Sequence, residues 1–367
     1  MRKFGFDNLL VSDREIFDAI FSQKQKLPDE KLFELCRNMG IFVSQNETRE
    51  SICQYISTQF KDWHNLKIIL DNLNYNEKNK KTSSLLISGA SLDDFKEVIK
   101  DLAPQFSDNQ MSHKGNGNSK YEVNLTTSTL ERSSTRLIQK PLTDQQISVE
   151  KSGENVVLRF DSDEVLDPIV NTIIEKVAGK KRDTFKQKII TLSSIVLSEY
   201  RTNFFLQLIV LDEKIYQLHD VKKIKVHHNK NNTSMEISPS DLDDKDDGFL
   251  KTAQLSGSSL HTNKLYQGLR KLGHYITEIT WTVEDTKNDK IIEINAGFQN
   301  PKDCTRFFYD IKGIYKKNIK GTTYTSERHK ILDIEKIIFL KFFDNFIYKT
   351  YDDIIEDYEN QLVVKDE

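Results

Sequence analysis

A chain of 367 residues, 37% apolar and 30% charged, is long enough for two or three domains and apolar enough to bury their cores. Its formal charge of −3 excludes a globally basic coat, and the lack of any run of about 18 apolar residues excludes a membrane-spanning helix. Three scattered cysteines (Cys36, Cys53 and Cys304) exclude a disulfide scaffold and predict a reducing, cytoplasmic setting. The opening MRKFGFDNLL has no long apolar core, so no secretory leader is expected.

The first 105 residues read as helices. Ser12 and Glu15 have the capping-box spacing, and Ile16, Phe17, Ile20 and Phe21 then recur at helical intervals. A second helix begins at Pro28, carries Leu32, Leu35, Cys36 and Met39, and meets Gly40 where a left-handed cap belongs. After the extended Ile41-Phe42-Val43, Ser44 and Glu47 offer another capping box before Ile52, Cys53 and Ile56. Further helices run through Phe60, Trp63, Leu66, Leu70 and Leu73, and from Ser91 to the residue before Pro104. Trp63 and Trp281 read as core or interface anchors.

Residues 106–120 are polar, rich in Gly and Asn, and without periodicity, which predicts a linker. Alternation then appears in YEVNLT, QISVEK and NVVLRF, and helical spacing at 165–177 and 185–211. HDVKKIKVHH alternates again, and the acidic run 241–247 reads as a solvated loop. Short helices are expected at 250–255 and 264–272. YITEITWTVE, KIIEINAGF and TRFFYDIKGIY then alternate as a three-stranded antiparallel meander. From Glu327 to Glu359 the pattern is helical.

The predicted fold class is therefore α+β. It comprises a helical domain over 1–105, a linker over 106–120, a mixed body with the meander over 121–325, and a long C-terminal helix with an acidic tail over 326–367. Phe339, Phe342, Phe343, Phe346, Ile347 and Tyr348 surround much of that helix, which predicts a stable complex, with a partner or as a homo-oligomer.

LPDEKLFELCRNMGIFVSQNETRESICQYI, around residues 28–56, resembles the helix–extension–helix module of the SAP and LEM-like families. In SAP domains the start of the second helix meets DNA phosphates, where N–H groups and the helix dipole favour anions. The matching positions are Asn46, Thr48 and Arg49, beside Glu47 and Glu50. DNA contact and plain packing or protein docking both remain open for this module.

Local charge gives a second pointer. Lys176, Lys180, Lys181, Arg182, Lys186 and Lys188 stand against a single acid, Asp183, in one short stretch. A second basic stretch, 302–330, holds Lys316, Lys317 and Lys320 among the aromatics Phe307, Phe308, Tyr309, Tyr315 and Tyr324. Clustered Lys and Arg suit phosphates, and exposed aromatics stack bases. The alternative is a solvated loop with the aromatics buried. The acidic tail can meet a basic partner.

The chain has no phosphate loop, no nucleophile elbow and no His-Glu-x-x-His zinc helix. His228-Asn229-Lys230 starts like a phospholipase-D-type motif but finds Met235 where the acid belongs, with Glu236 one place late. Asp212-Glu213-Lys214 has the spacing of a PD-(D/E)xK nuclease, whose carboxylates hold Mg²⁺, with Asp212 and Lys214 as its catalytic candidates. Asp285-Thr286-Lys287 repeats the spacing in a turn.

Two functional classes follow. One is a nucleic-acid-binding or adaptor subunit without catalysis or cofactor, touching DNA through phosphates, away from any membrane. The second half of the chain, LSGSSLHTNKLYQGLRKLGHYITEITWTVED onward, resembles accessory subunits of bacterial anti-phage nuclease systems, which implies a nuclease or other effector as partner. The other class is a divergent Mg²⁺-dependent PD-(D/E)xK-type nuclease.

Overall fold

A computed structural model describes residues 11–59, 63–74, 81–106, 111–116, 119–128, 132–139, 142–211, 214–228, 252–257, 264–318 and 323–366. In chain order the elements are α1 (Asp13–Ser22), α2 (Asp29–Asn38), α3 (Arg49–Thr58), α4 (Trp63–Asn74), β1 (Thr82–Ser88), α5 (Leu92–Leu102), β2 (Met111–Asn116), β3 (Lys120–Ser128), β4 (Leu142–Ser152) and β5 (Asn155–Asp161). They continue with α6 (Asp167–Lys180), β6 (Lys186–Lys188), α7 (Ser198–Ile209), β7 (Tyr216–His228), β8 (Thr252–Ser256), α8 (Lys264–Lys271), β9 (His274–Asp285), β10 (Lys290–Asn300), β11 (Thr305–Lys316) and α9 (Asp333–Asp366). The fold is α+β, with antiparallel strands and a long C-terminal helix. None of the described helices is long and apolar enough to cross a membrane.

The chain forms two compact units that alternate along the sequence. The first takes Met1–Lys78, Phe95–Ile147 and Glu164–Glu175; the second takes Asn79–Asp94, Ser148–Asp163 and Lys176–Glu367.

In the first unit local chemistry sets the helix ends. Ser12 and Glu15 complete both halves of the capping box on α1. Beyond α2, the Gly40 N–H donates to Arg37 O and the Ile41 N–H to Cys36 O, a Schellman closure that needs the φ of +73° adopted by Gly40. The cap of α3 is Thr48, which accepts from the Ser51 N–H, while Ser44 closes a turn before it. The expected Ser44 box is thereby displaced by four residues. Ile16, Ile20, Leu35, Ile52, Ile56 and Ile69 share one core, where each buried side chain contributes about 2 kcal/mol. The side chain of Trp63 lies outside the described residues.

Residues 111–116, expected within a linker, form β2 and pair in register with β3, from Met111 opposite Leu125 to Asn116 opposite Lys120. This short strand, MSHKGN, stands at the end of the sheet's order and carries no apolar alternation, so its sequence reads as a loop.

In the second unit the strands follow the order β5-β1-β11-β10-β9-β7-β8, and β6 pairs with β1. One face is apolar. Ile279, Trp281 and Val283 of β9, Ile292 and Ile294 of β10, and Phe307, Tyr309 and Ile311 of β11 meet Phe204 and Phe205 of α7 and Phe339, Phe343 and Ile347 of α9 in a single core. Phe342 and Phe346 pack partly buried against that core. Beneath α9 lies an ionic knot: Arg159 Nε donates to Asp344 at 2.6 Å, its Nη1 to Glu150 at 2.5 Å, and the Tyr309 hydroxyl to the other Asp344 oxygen. Lys341 pairs with Glu150 from the surface.

Several other expectations are corrected. The helix expected over 185–211 is confined to α7, with β6 before it; of the helix expected over 250–255, the described residues from Thr252 on form strand β8; and α9 starts at Asp333 rather than Glu327. Before it, His329 bridges backbone-to-backbone with Ile314 instead.

Candidate functional site

The face of the second unit's sheet opposite the apolar core is polar, and two irregularities in β7 shape it. The register of β7 against β9 shifts between Leu218 and Asp220 and again between Val221 and Lys223. Each shift inserts one residue, His219 and Lys222, and a bulge of this kind turns its extra side chain out of the alternating pattern. Both line a cleft of about 710 Å³ together with Thr282 and Glu284 of β9, Ile291 of β10, Tyr315 of β11 and Tyr324.

Glu293 of β10 is the hub beneath this cleft. One carboxylate oxygen accepts from the Tyr315 hydroxyl at 2.5 Å and from Lys222 Nζ at 3.0 Å; the other accepts from Arg328 at 2.9 Å. Lys222 Nζ also donates to the Tyr315 hydroxyl at 2.9 Å and lies 4.2 Å from that ring's centroid. Burial alone would push the Glu293 carboxyl up, but the Tyr315 and Lys222 hydrogen bonds and the charges of Lys222 and Arg328 hold it below the usual carboxylate range. Burial likewise opposes the charge on Lys222, and its bonds to Tyr315 and Glu293 overcome that and hold it above an ordinary lysine.

Arg328 reaches Glu293 because of Gly313. This residue stands at the β10–β11 bulge with φ +153°, and a Cβ there would lie 2.6 Å from His329 O and 2.7 Å from the Arg328 side chain. At the cleft wall the Tyr324 hydroxyl donates to Glu284 Oε1 at 2.5 Å. Burial and then that carboxylate push the Tyr324 hydroxyl up to about 12, so Tyr324 is a neutral donor at physiological pH. The rings of His219 and Tyr324 are 6.5 Å apart and nearly perpendicular.

A second cleft of about 620 Å³ adjoins the first, and Lys317 lines both. Lys290, Lys316 and Lys330 line it too, with Asp289 and Glu335. Lys317 pairs with Asp289 at 2.6 Å and Lys290 with Glu335 at 3.0 Å, whereas Lys316 and Lys330 are exposed.

Of the residues singled out from sequence, Lys316 and Lys317 thus meet at one cleft, while Lys320 lies outside the described residues. Lys180 ends α6, Lys181 and the exposed Arg182 lie in the turn after it, and Lys186 and Lys188 are on β6; Lys181 pairs with Asp94 and Lys188 with Asp352. Because β6 pairs with the far end of β1, this stretch and Lys316 lie about 40 Å apart along the strands. Arg49 is only 11% exposed and donates to Asp29 at 2.8 Å and to Ile20 O at 2.9 Å, which ties α3 to its neighbours.

Asp212, Glu213 and the acidic run 241–247 lie outside the described residues, and Lys214 is exposed in the turn before β7. Asp285 is buried and accepts the Lys287 and Asn288 N–H groups, so its triplet caps the β9–β10 turn. Burial pushes the Cys304 thiol up to about 12, which leaves it unreactive. Among the described residues no group of three or more His, Cys, Asp or Glu is placed to hold a metal ion. Sequence reasoning missed His219, Lys222, Glu284, Glu293 and Arg328, which converge only once strands are in register. No protein-family model matches the chain, and no curated protein matches it.

Proposed function

We propose that this protein is a nucleic-acid-binding subunit that holds phosphates at the lysine cleft and leaves any chemistry to an effector partner such as a nuclease. One observation carries the proposal: Lys290, Lys316, Lys317 and Lys330 line a single open cleft whose acids, Asp289 and Glu335, already pair with Lys317 and Lys290. The exposed ammonium groups of Lys316 and Lys330 suit a polyanion. Lysine is a compact point charge matched to phosphate rather than to the bidentate reading of base edges. The phosphate contacts themselves should therefore carry little sequence preference.

The basic stretch about Lys180, about 40 Å away along the strands, is an auxiliary contact for long nucleic acids. The α2–α3 module packs through Arg49 and adds little. The test is binding of fluorescent oligonucleotides of unrelated sequence to three charge-reversed proteins. Reversing Lys316, Lys317 and Lys330 together should weaken binding more than about tenfold, reversing Lys180, Lys181 and Arg182 less, and Arg49→Glu least. Loss confined to Arg49→Glu would move the site to the α2–α3 module and overturn the proposal.

A further inference from the structure

The cleft beside the lysines is walled in a way that a phosphate site does not need. Its charges are already balanced: Lys222 and Arg328 are both hydrogen-bonded to Glu293, and Glu284 adds a second carboxylate at the wall. A phosphate placed there would face Glu284 and would have to compete with Glu293 for its cations. The remaining wall combines the rings of Tyr324, His219 and Tyr315 and the buried Ile291 with the neutral hydroxyls of Thr282, Thr323, Thr325 and Ser326. A volume of about 710 Å³ is within the range of small-ligand sites and takes a planar heterocycle with its sugar.

We propose that this cleft receives one unstacked nucleobase of a single strand whose phosphates lie on the neighbouring lysines. The inference rests on the phosphate-binding function above and deepens it, since a base inside a duplex is not available for such insertion without unpairing. Lys317, shared by both clefts, marks where backbone and base part. Stacking on Tyr324 accepts any base, because every base has a π-face. Glu284 adds a preference. Its Oε1 takes the Tyr324 hydroxyl, and Oε2 has no other hydrogen bond among the described residues. A carboxylate oxygen accepts from an exocyclic amino group, as on cytosine, and finds no such donor on thymine.

The experiment is a fluorescence-anisotropy titration of the full chain with oligo-dC, oligo-dT, a strand of abasic spacers of the same length, and a duplex. The expected order of affinity is dC, then dT, then abasic, with the abasic strand at least about tenfold weaker than dC. Tyr324→Ala should bring dC down to the abasic value, whereas Tyr324→Phe keeps the ring and most of the affinity. Glu284→Gln should erase the preference for dC over dT while leaving dT unchanged. Thermal melting of each variant separates lost binding from lost folding, and the Tyr324→Phe protein keeps the test open if Tyr324→Ala is unstable. Equal affinity for base-bearing and abasic strands, or a duplex bound as tightly as dC, would overturn the base pocket and leave the phosphate function standing. Failure to bind any probe at low salt would overturn both.

Discussion

Two ionic networks of similar make-up sit on opposite faces of the same sheet. Under α9, Arg159 joins Glu150 and Asp344, with side chains 9%, 5% and 2% exposed. On the polar face Glu293, 9% exposed, joins Lys222 and Arg328, which are 37% and 43% exposed. The first is sealed and holds a helix to a sheet; burial there outweighs the Arg159 charge and raises the Asp344 carboxyl. In the second network a carboxylate held by two cations opens onto a cleft, and the Glu293 carboxyl is depressed instead. Solvent access, more than residue type, separates a structural knot from a site.

Breaking the sealed network should have the largest effect. Arg159→Leu leaves the buried Asp344 carboxylate without a cation, Glu150 keeping only Lys341, and should cost about 3–5 kcal/mol, read as a lower midpoint in urea denaturation. An unchanged midpoint would mean that solvent reaches the knot. Nucleic-acid affinity of the protein that remains folded should hardly change. Reversing Lys316, Lys317 and Lys330 should do the opposite, abolishing much of the binding and leaving the midpoint within about 0.5 kcal/mol of wild type, as surface substitutions do.

Glu293→Gln sharpens the contrast through pH. Glu293 is held below the ordinary carboxylate value, so the folded state binds its proton more weakly than the unfolded one. Its contribution is therefore complete above about pH 5 and is lost as pH falls below about 4. At pH 7 the substitution should cost about 1 kcal/mol, because its cationic partners are partly solvated. Melting curves of wild type and variant should differ at pH 7 and converge only as pH is taken below about 4. A difference that grows toward acid would contradict the depressed carboxyl. Gly40→Ala should change stability by a similar amount, about 1 kcal/mol for a side chain at φ +73°, lowering the melting temperature of the first unit without altering binding.

The parts of the fold that sequence made legible are those set by neighbours in the chain. Ser12 with Glu15 and the Gly40 terminus are local devices, and both helices lie where the pattern put them. Strand β1 was illegible because TSSLLIS groups its polar residues first and its apolar residues after, and its faces are buried and half-buried rather than buried and exposed, so it carries no alternation. The residues before α7 have helical spacing by chance, but 186–188 is claimed by pairing with β1. The site was half legible. Lys316, Lys317, Tyr315 and Tyr324 were visible as one basic, aromatic stretch, whereas Lys222 is 71 residues from Glu293 and is turned toward it by a bulge that no composition signals.

The central claim is phosphate binding at the lysine cleft, and its most direct test is the salt dependence of affinity. Each neutralised phosphate contributes about −0.7 to −0.9 to the slope of log K against log salt. The wild-type protein should show a steep negative slope with oligonucleotides of any sequence. The protein reversed at Lys316, Lys317 and Lys330 should lose about two to three units of that slope, while the Arg159→Leu protein keeps it. A slope that is the same in wild type and in the lysine-reversed protein would place the phosphates elsewhere and contradict the account.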